Sequence, residues 1–150
     1  MKIKRLLIIP ARSGSKRIKN KNIKIFVGKP IIYYPINTAI KSKLFTKIHV
    51  STNSKKISKL AESFGVMSDF LRPKNLSNDK ASLFPVFKFV VNKYFLLGQK
   101  FDEVWCILPC SPFLDKNDLV SISSKSKKLK KPILTISPYP APLNWSFEVK

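Results

Sequence analysis

The sequence predicts an α/β fold built on one doubly wound, mostly parallel sheet with helices on both faces. Short apolar runs alternate with longer segments whose apolar residues recur at helical spacing, a rhythm typical of such sheets. Residues 104–108 form a continuously apolar run, as expected of a central parallel strand buried on both faces. With 150 residues, 44% of them hydrophobic, the chain is expected to form a single domain over residues 1–150.

The first half of the chain is predicted to contain two strands and two helices. The uncharged run at residues 6–9 predicts the first strand, and apolar residues at helical spacing predict a helix from about residue 30 to 44. The β-branched run at residues 47–52 predicts the second strand. A second helix over about residues 54–64 is expected to end at Gly65, because glycine suits the position after a helix C-terminus.

The second half continues the alternation of strands and helices. Its apolar patterns predict four elements: an edge strand over 66–70, a helix over about 82–98, the buried strand within 102–108 and a further strand over 133–136. Asp115 and Asp118 form an acidic pair typical of a capped helix N-terminus.

Four segments that follow the predicted strands are expected to meet at one edge of the sheet. Ligands of open α/β sheets bind beyond the carboxyl ends of the strands. The candidate functional residues should therefore lie in these segments, which are residues 10–22, 51–54, 72–82 and 109–112.

The most informative motif is the cationic loop, residues 10–22, which directly follows the first strand. Ser13, Gly14 and Ser15 leave backbone N–H groups accessible to phosphate oxygens. Countercharge comes from the basic side chains of the loop, namely Arg12, Lys16, Arg17 and Lys21. The loop is neither a P-loop nor a dinucleotide fingerprint, because it has a single glycine. We expect it to bind a polyphosphate.

The pattern P-A-R-x-G-S-K-R-x-x-x-K-N in this loop resembles the N-terminal signature of the cytidylyltransferases that activate nine-carbon acidic sugars. These are the acylneuraminate (CMP-sialic acid) synthetases and their pseudaminic acid relatives. The resemblance implies a nucleotidyltransferase of the nucleotide-diphospho-sugar transferase type, whose partners are CTP and an acidic nine-carbon sugar. It implies catalytic roles for Arg12 and Lys16. The nucleotide-binding residues that it implies in the loop are Ala11, Arg12, Ser13, Gly14, Ser15, Lys16, Lys21 and Asn22.

A second segment resembles the part of the family that contacts the cytidine. The residues at matching positions are Arg72, Asp79 and Ala81. From the residues alone, Arg72 could instead form an ion pair with Asp69 or Asp79. Asp79 could equally cap the helix that is predicted to begin near Ser82.

The turn Pro109-Cys110-Ser111 matches the family's proline-bracketed turn that shapes the sugar pocket. Some sialic acid synthetases carry Gln before the first proline, where this chain has Leu108, and this difference favours a pseudaminic-type or other nonulosonic acid. Another departure is Asn53, since the family often shows Thr-Asp where this chain has Thr52-Asn53. His49 lies within a predicted strand, and we interpret it as a hydrogen-bonded core histidine.

The resemblance also implies Mg²⁺ as cofactor and a homodimer. The family's magnesium-binding aspartates and much of its pairing segment lie beyond residue 150, so we expect a C-terminally shortened domain with no metal ligand in this chain and do not predict its dimerisation. Two carboxylates are normally needed to hold Mg²⁺ with phosphates. The alternative to an active enzyme is therefore a catalytically weak or silent CTP-binding remnant.

The formal charge of +21, from 29 basic and 8 acidic residues, raises a third hypothesis, a nucleic-acid-binding module. Nucleic-acid readers rely on arginine for bidentate contacts, whereas only four of these cations are arginines: Arg5, Arg12, Arg17 and Arg72. A nucleic-acid partner is therefore disfavoured. The chain has two cysteines, no predicted secretory segment and no apolar run of the roughly 18 residues that span a bilayer. We expect reduced thiols, no membrane partner and a cytoplasmic location.

Overall fold

The computed structural model of the chain describes residues 3–79 and 81–136. Three strands, β1 (Arg5–Pro10), β4 (Lys47–Ser51) and β5 (Glu103–Cys106), form a parallel sheet in the order β4-β1-β5. Strands β2 (Ile25–Phe26) and β3 (Lys29–Pro30) form a separate antiparallel pair. The helices are α1 (Tyr33–Ser42), α2 (Lys55–Glu62), α3 (Leu83–Leu96) and α4 (Lys116–Leu129), with short 3₁₀ turns at Lys21–Ile23 and Lys74–Leu76.

Strand β1 is buried along its whole length because helices cover both faces of the sheet. Leu7 and Ile9 pack into a core cluster with residues of α1, α2 and α4. Leu6 and Ile8 point to the opposite face, as alternation along a strand requires, and pack with Val90 and Tyr94 of α3. The predicted parallel α/β sheet with helices on both faces is therefore confirmed.

Most of the predicted elements are present with small differences in their bounds. Helix α4 begins with a capping box in which the side chain of Asp115 accepts from backbone N–H groups and that of Asp118 accepts from the Asp115 N–H. Helix α1 begins at Tyr33 rather than near residue 30, because residues 29–30 pair with β2 instead. The two residues that join β2 to β3, Val27 and Gly28, have positive φ angles, as a tight hairpin requires.

The prediction that residues 102–108 form a central strand buried on both faces was wrong. Within the described part of the chain, β5 pairs with β1 alone and lies at the edge of the sheet. Its outward-facing residues are exposed, and Val104 keeps 46% of its surface accessible. An apolar run alone does not determine how many neighbours a strand has.

Two further predicted strands are absent. Residues 66–70 form no ladder: the hydroxyl of Ser68, rather than a backbone N–H, donates to the Val50 carbonyl oxygen, and the Phe70 ring packs on His49. Residues 133–136 have no strand partner among the described residues, and their apolar side chains at 134 and 136 are almost fully exposed. No helix in the described ranges has the length and apolar character needed to cross a membrane.

Candidate functional site

The loops that follow β1 and β4, together with the turn after β5, meet at the carboxyl edge of the sheet, as predicted. Three contacts connect them. These are the hydrogen bonds from Ser13 N–H to Asn53 Oδ1 (2.9 Å) and from Arg72 N–H to the Thr52 carbonyl (2.7 Å), and the contact from Cys110 Sγ to Asn22 Oδ1 (3.7 Å). The topology therefore brings all the predicted site segments to one side of the molecule.

The backbone of the cationic loop is shaped by Gly14 and held by Asn53. Gly14 has a φ of +81°, a conformation that residues with a Cβ rarely adopt. The side-chain oxygen of Asn53 accepts from both the N–H and the hydroxyl of Ser13, at 2.9 and 3.1 Å. Sequence reasoning noted Asn53 only as a departure from a family pattern, so its role in supporting the loop was missed. The prediction that the Ser13 N–H is open to a phosphate was wrong, because that N–H already donates to Asn53.

Asn22 fastens the end of the cationic loop to its beginning. It is buried, and its side-chain N–H donates to the Arg12 carbonyl oxygen at 2.9 Å while its Oδ1 faces the thiol of Cys110. Its own carbonyl accepts from the N–H of Ile32. These contacts use both the N–H and the oxygen of the Asn22 side chain, which accounts for an asparagine at this position. A direct contact between Asn22 and a nucleotide stays a prediction.

Two cations of the loop share one carboxylate. Arg12 Nη2 lies 2.5 Å from Asp79 Oδ1, and Lys16 Nζ lies 2.7 Å from Asp79 Oδ2. Hydrogen bonds from Lys16 and Arg12 hold the pKa of Asp79 below its ordinary value. Asp79 does not cap α3, which was the alternative from the sequence. The N-cap residue of that helix is Ser82, and the carboxylate of Asp79 accepts hydrogen bonds from the loop cations instead.

Arg72 is a buried cation beside this pair. Its Nη2 donates to the Ser51 carbonyl oxygen at 2.5 Å and its Nε donates to the Ser51 hydroxyl at 3.2 Å. Burial, together with the nearby charge of Arg12, lowers the pKa of Arg72 to about 10, so the group remains positive at neutral pH. The described residues offer Arg72 no ion-pair partner. Asp69, one alternative partner, pairs with Lys47 at 2.6 Å instead.

The remaining predicted site residues differ in their exposure. Ala11 and Pro109 are buried, Ser15, Ala81, Cys110 and Ser111 are partly buried, and Lys21 is exposed. The backbone N–H of Ala11 continues the pairing of β1 by donating to the Ser51 carbonyl. Ser111 also faces a groove of about 1060 Å³ along the open edge of β5, to which none of the loop cations contributes.

The described residues do not form a magnesium site of their own. No group of three His, Cys, Asp or Glu side chains is close enough together in the described ranges to hold an ion. The carboxylate nearest the cationic loop, Asp79, has each oxygen in contact with a cation. Since Mg²⁺ prefers free oxygen ligands, these residues do not fit the ion.

Comparison with known proteins agrees with the resemblance in the cationic loop. The sequence model of a family described as cytidylyltransferase matches residues 6–147. A pseudaminic acid cytidylyltransferase of Campylobacter jejuni is 41% identical over 78% of this chain, which corresponds to 50% of the relative. An N-acylneuraminate cytidylyltransferase of Escherichia coli is 37% identical over 87% of the chain and 30% of the relative.

A third relative, a CMP-N,N'-diacetyllegionaminic acid synthase of Legionella pneumophila, is 31% identical over 93% of the chain and 60% of its own length. Among solved structures, a CMP:2-keto-3-deoxy-manno-octonic acid synthetase complexed with CTP matches with a TM-score of 0.69 and 22% identity, over 83% of this chain and 48% of that one. This likeness shows the nucleotide-sugar transferase-like α/β fold. The chain spans about half the length of the Campylobacter relative. Because the family model covers nearly all of its residues, the chain belongs to the cytidylyltransferase family.

Proposed function

We propose that this chain is a cytidylyltransferase that activates a nonulosonic acid, of the sialic or pseudaminic type, with CTP. In this reaction the anomeric hydroxyl of the sugar attacks the α-phosphorus of CTP. The bond between the α-phosphorus and the pyrophosphate oxygen breaks, giving CMP-sugar and pyrophosphate. The names of the relatives support this substrate class, since they include pseudaminic, N-acylneuraminic and legionaminic acid enzymes.

The observation that carries the proposal is the convergence of Arg12, Lys16 and Arg72 on one edge of the sheet. Arg72 keeps its charge while buried, and the described residues give it no carboxylate partner. A buried charge without a partner is costly, so its retention indicates a site made for an anionic or strongly polar ligand. CTP meets this need, because its cytidine part offers polar acceptor atoms to Arg72 and its phosphates offer negative charge to Arg12 and Lys16.

The three cations serve two different parts of the nucleotide in the proposed reaction. Arg12 and Lys16 would contact the terminal phosphates and stabilise the negative charge that develops on the departing pyrophosphate. Arg72, fixed by Ser51, would hold the cytidine part of the nucleotide. Lys21 would help to position the nucleotide, and the turn from Pro109 to Ser111 would border the sugar.

The test is CTP binding by isothermal titration calorimetry and by thermal shift, with Arg12→Ala as the site variant. Lys41→Ala is the matched control, because Lys41 is exposed in the last turn of α1, at the opposite edge of the sheet. We expect CTP to bind the wild type and the control alike and to bind Arg12→Ala at least tenfold more weakly, as the loss of a charge-assisted contact implies. Absence of CTP binding to the wild type would refute the proposal.

The second candidate function is CTP binding without catalysis. The observation in its favour is that no three His, Cys, Asp or Glu side chains among the described residues are placed to hold a metal ion. Release of pyrophosphate from CTP in the presence of Mg²⁺ and a nonulosonic acid separates the two functions. Binding of CTP without pyrophosphate release would favour the silent protein.

We also propose that the protein works in the cytoplasm. Its two cysteines, Cys106 and Cys110, are both free thiols, as expected in a reducing compartment. Burial raises the pKa of the Cys110 thiol, which disfavours the reactive thiolate beside the cationic loop. Labelling of both thiols in protein taken directly from cells would test this location.

A further inference from the structure

We propose that the carboxylate of Asp79 is an internal stand-in for the terminal phosphates of the ligand. It occupies the subsite formed by Arg12 and Lys16 and must leave when a polyphosphate binds. This inference rests on the proposed function and deepens it. It assigns to Asp79 control over how tightly the site holds strongly charged ligands.

The contacts of Asp79 are those that a phosphate group would make. Each of its two carboxylate oxygens contacts a different cation, at 2.5 Å to Arg12 and 2.7 Å to Lys16. Phosphate offers the same pairing of negative oxygens with charged donors and carries more charge. A phosphate that takes the donor groups now directed at Asp79 competes with its carboxylate, and the two anions also repel each other.

Asp79 lies in an irregular segment beside the cationic loop. Besides the two ion pairs, Arg12 Nη1 donates to the carbonyl oxygen of Ser77 at 3.4 Å. Residues 77–79 belong to neither the 3₁₀ turn that precedes them nor α3. Lys16 is 82% exposed and Asp79 is 39% exposed, and exposed ion pairs of this kind are weak in water. The stand-in contact is therefore one that a highly charged ligand can displace.

Asp79 should weaken the binding only of ligands that reach the subsite formed by Arg12 and Lys16. A triphosphate gains the contacts of Arg12 and Lys16 only after it has displaced Asp79. Cytidine has no phosphate to place there, so the carboxylate does not affect it. Replacing Asp79 by Asn removes the competing charge with almost no change in volume, and it should strengthen the binding of polyphosphates alone.

The experiment measures the affinities of tripolyphosphate, CTP and cytidine for the wild type, Asp79→Asn and Glu62→Gln. Glu62 is the matched control, since it is an exposed carboxylate at the far end of α2 and its loss changes the net charge equally. We expect Asp79→Asn to bind tripolyphosphate and CTP about tenfold more tightly, as removal of a like charge from the site implies. We expect no change for cytidine, and less than a twofold change for any ligand with Glu62→Gln.

Should tripolyphosphate bind Asp79→Asn equally or more weakly than the wild type, Asp79 would be holding the two cations in place, and the stand-in proposal would be wrong. Failure of CTP to bind while tripolyphosphate gains affinity would refute the proposed function and leave this inference standing.

A second measurement needs no variant. The carboxyl carbon of Asp79, followed by NMR during a pH titration, reports its pKa with and without saturating tripolyphosphate. Displacement from Arg12 and Lys16 should raise this pKa, because the hydrogen bonds that lower it are lost. An unchanged or lower pKa in the complex would overturn the proposal.

Discussion

The backbone N–H of Ser13 donates a 2.9 Å hydrogen bond to Oδ1 of Asn53, and the Ser13 hydroxyl donates to the same oxygen at 3.1 Å. One side chain after β4 thus holds the start of the cationic loop, 40 residues earlier in the chain. The contact needs an acceptor oxygen and not a particular charge. It therefore accounts for an asparagine at a position where the family often has an aspartate.

Asn53→Ala should loosen the loop and weaken CTP binding about fivefold, since the net value of one such hydrogen bond is about 1 kcal/mol. Calorimetric titration with CTP measures the change, and amide hydrogen exchange at Ser13 reports the loosening directly. Asn53→Asp keeps the acceptor and should keep the protection of Ser13. Asn92→Ala, an exposed change on α3, serves as control, and an equal effect there would contradict the assignment to Asn53.

Arg72→Lys should lower CTP affinity about tenfold, although the positive charge is retained. Lysine cannot reproduce the two directed contacts of the guanidinium with Ser51, and charge-assisted hydrogen bonds contribute about 1.5–3 kcal/mol. Lys41→Arg, an exchange between the same two residue types at an exposed position away from the site, is the control and should leave CTP affinity within twofold. Wild-type affinity in Arg72→Lys would mean that the charge alone matters.

The parts of the fold that sequence predicted are those whose signals are local. Strand β1 followed from an uncharged run, and the end of α2 followed from Gly65, whose φ of +85° confirms the role expected of a glycine there. His49 was predicted to be a hydrogen-bonded core residue, and it is fully buried beside the hydroxyl of Tyr94. Each of these predictions needed only neighbouring residues.

The parts that sequence missed depend on contacts between distant segments. Asp79 lies 67 residues from Arg12, and nothing in its local sequence separates an ion pair with the loop from a helix cap. The exposure of β5 depends on which strands lie beside it, and its apolar run carries no information about that number. Arg12 and Lys16 could be identified from the sequence because they lie close together within the cationic loop.

The stability of the protein should fall between pH 7 and pH 5 because of His49. Burial lowers the pKa of His49 from 6.5 to about 4, so the folded protein keeps the imidazole neutral while the unfolded chain takes up a proton below pH 6.5. Protonation of the unfolded state then favours unfolding as the pH falls. The free energy of unfolding should decrease by about 2 kcal/mol over this interval.

Urea denaturation at pH 7, 6 and 5 measures this decrease, and His49→Gln is the matched variant. Glutamine can still bond to the Tyr94 hydroxyl but does not titrate, so its stability should be nearly constant over the same interval. Carboxylates titrate mainly below this window, which makes the comparison specific to histidine. A parallel decline in both proteins would show that His49 is not the cause.

Gly14→Ala should reduce both stability and CTP affinity, whereas Gly98→Ala should reduce stability alone. Both glycines have positive φ angles, +81° and +75°, and a Cβ at either position would meet no atom within 4 Å. Each alanine therefore meets only the backbone strain of the left-handed region, about 1–2 kcal/mol. Gly98 follows α3, away from the site, while Gly14 lies in the cationic loop, directly after the Ser13 that Asn53 holds. Thermal unfolding together with CTP titration of both variants tests the difference, and equal CTP affinities would show that the loop does not depend on this conformation to bind phosphate.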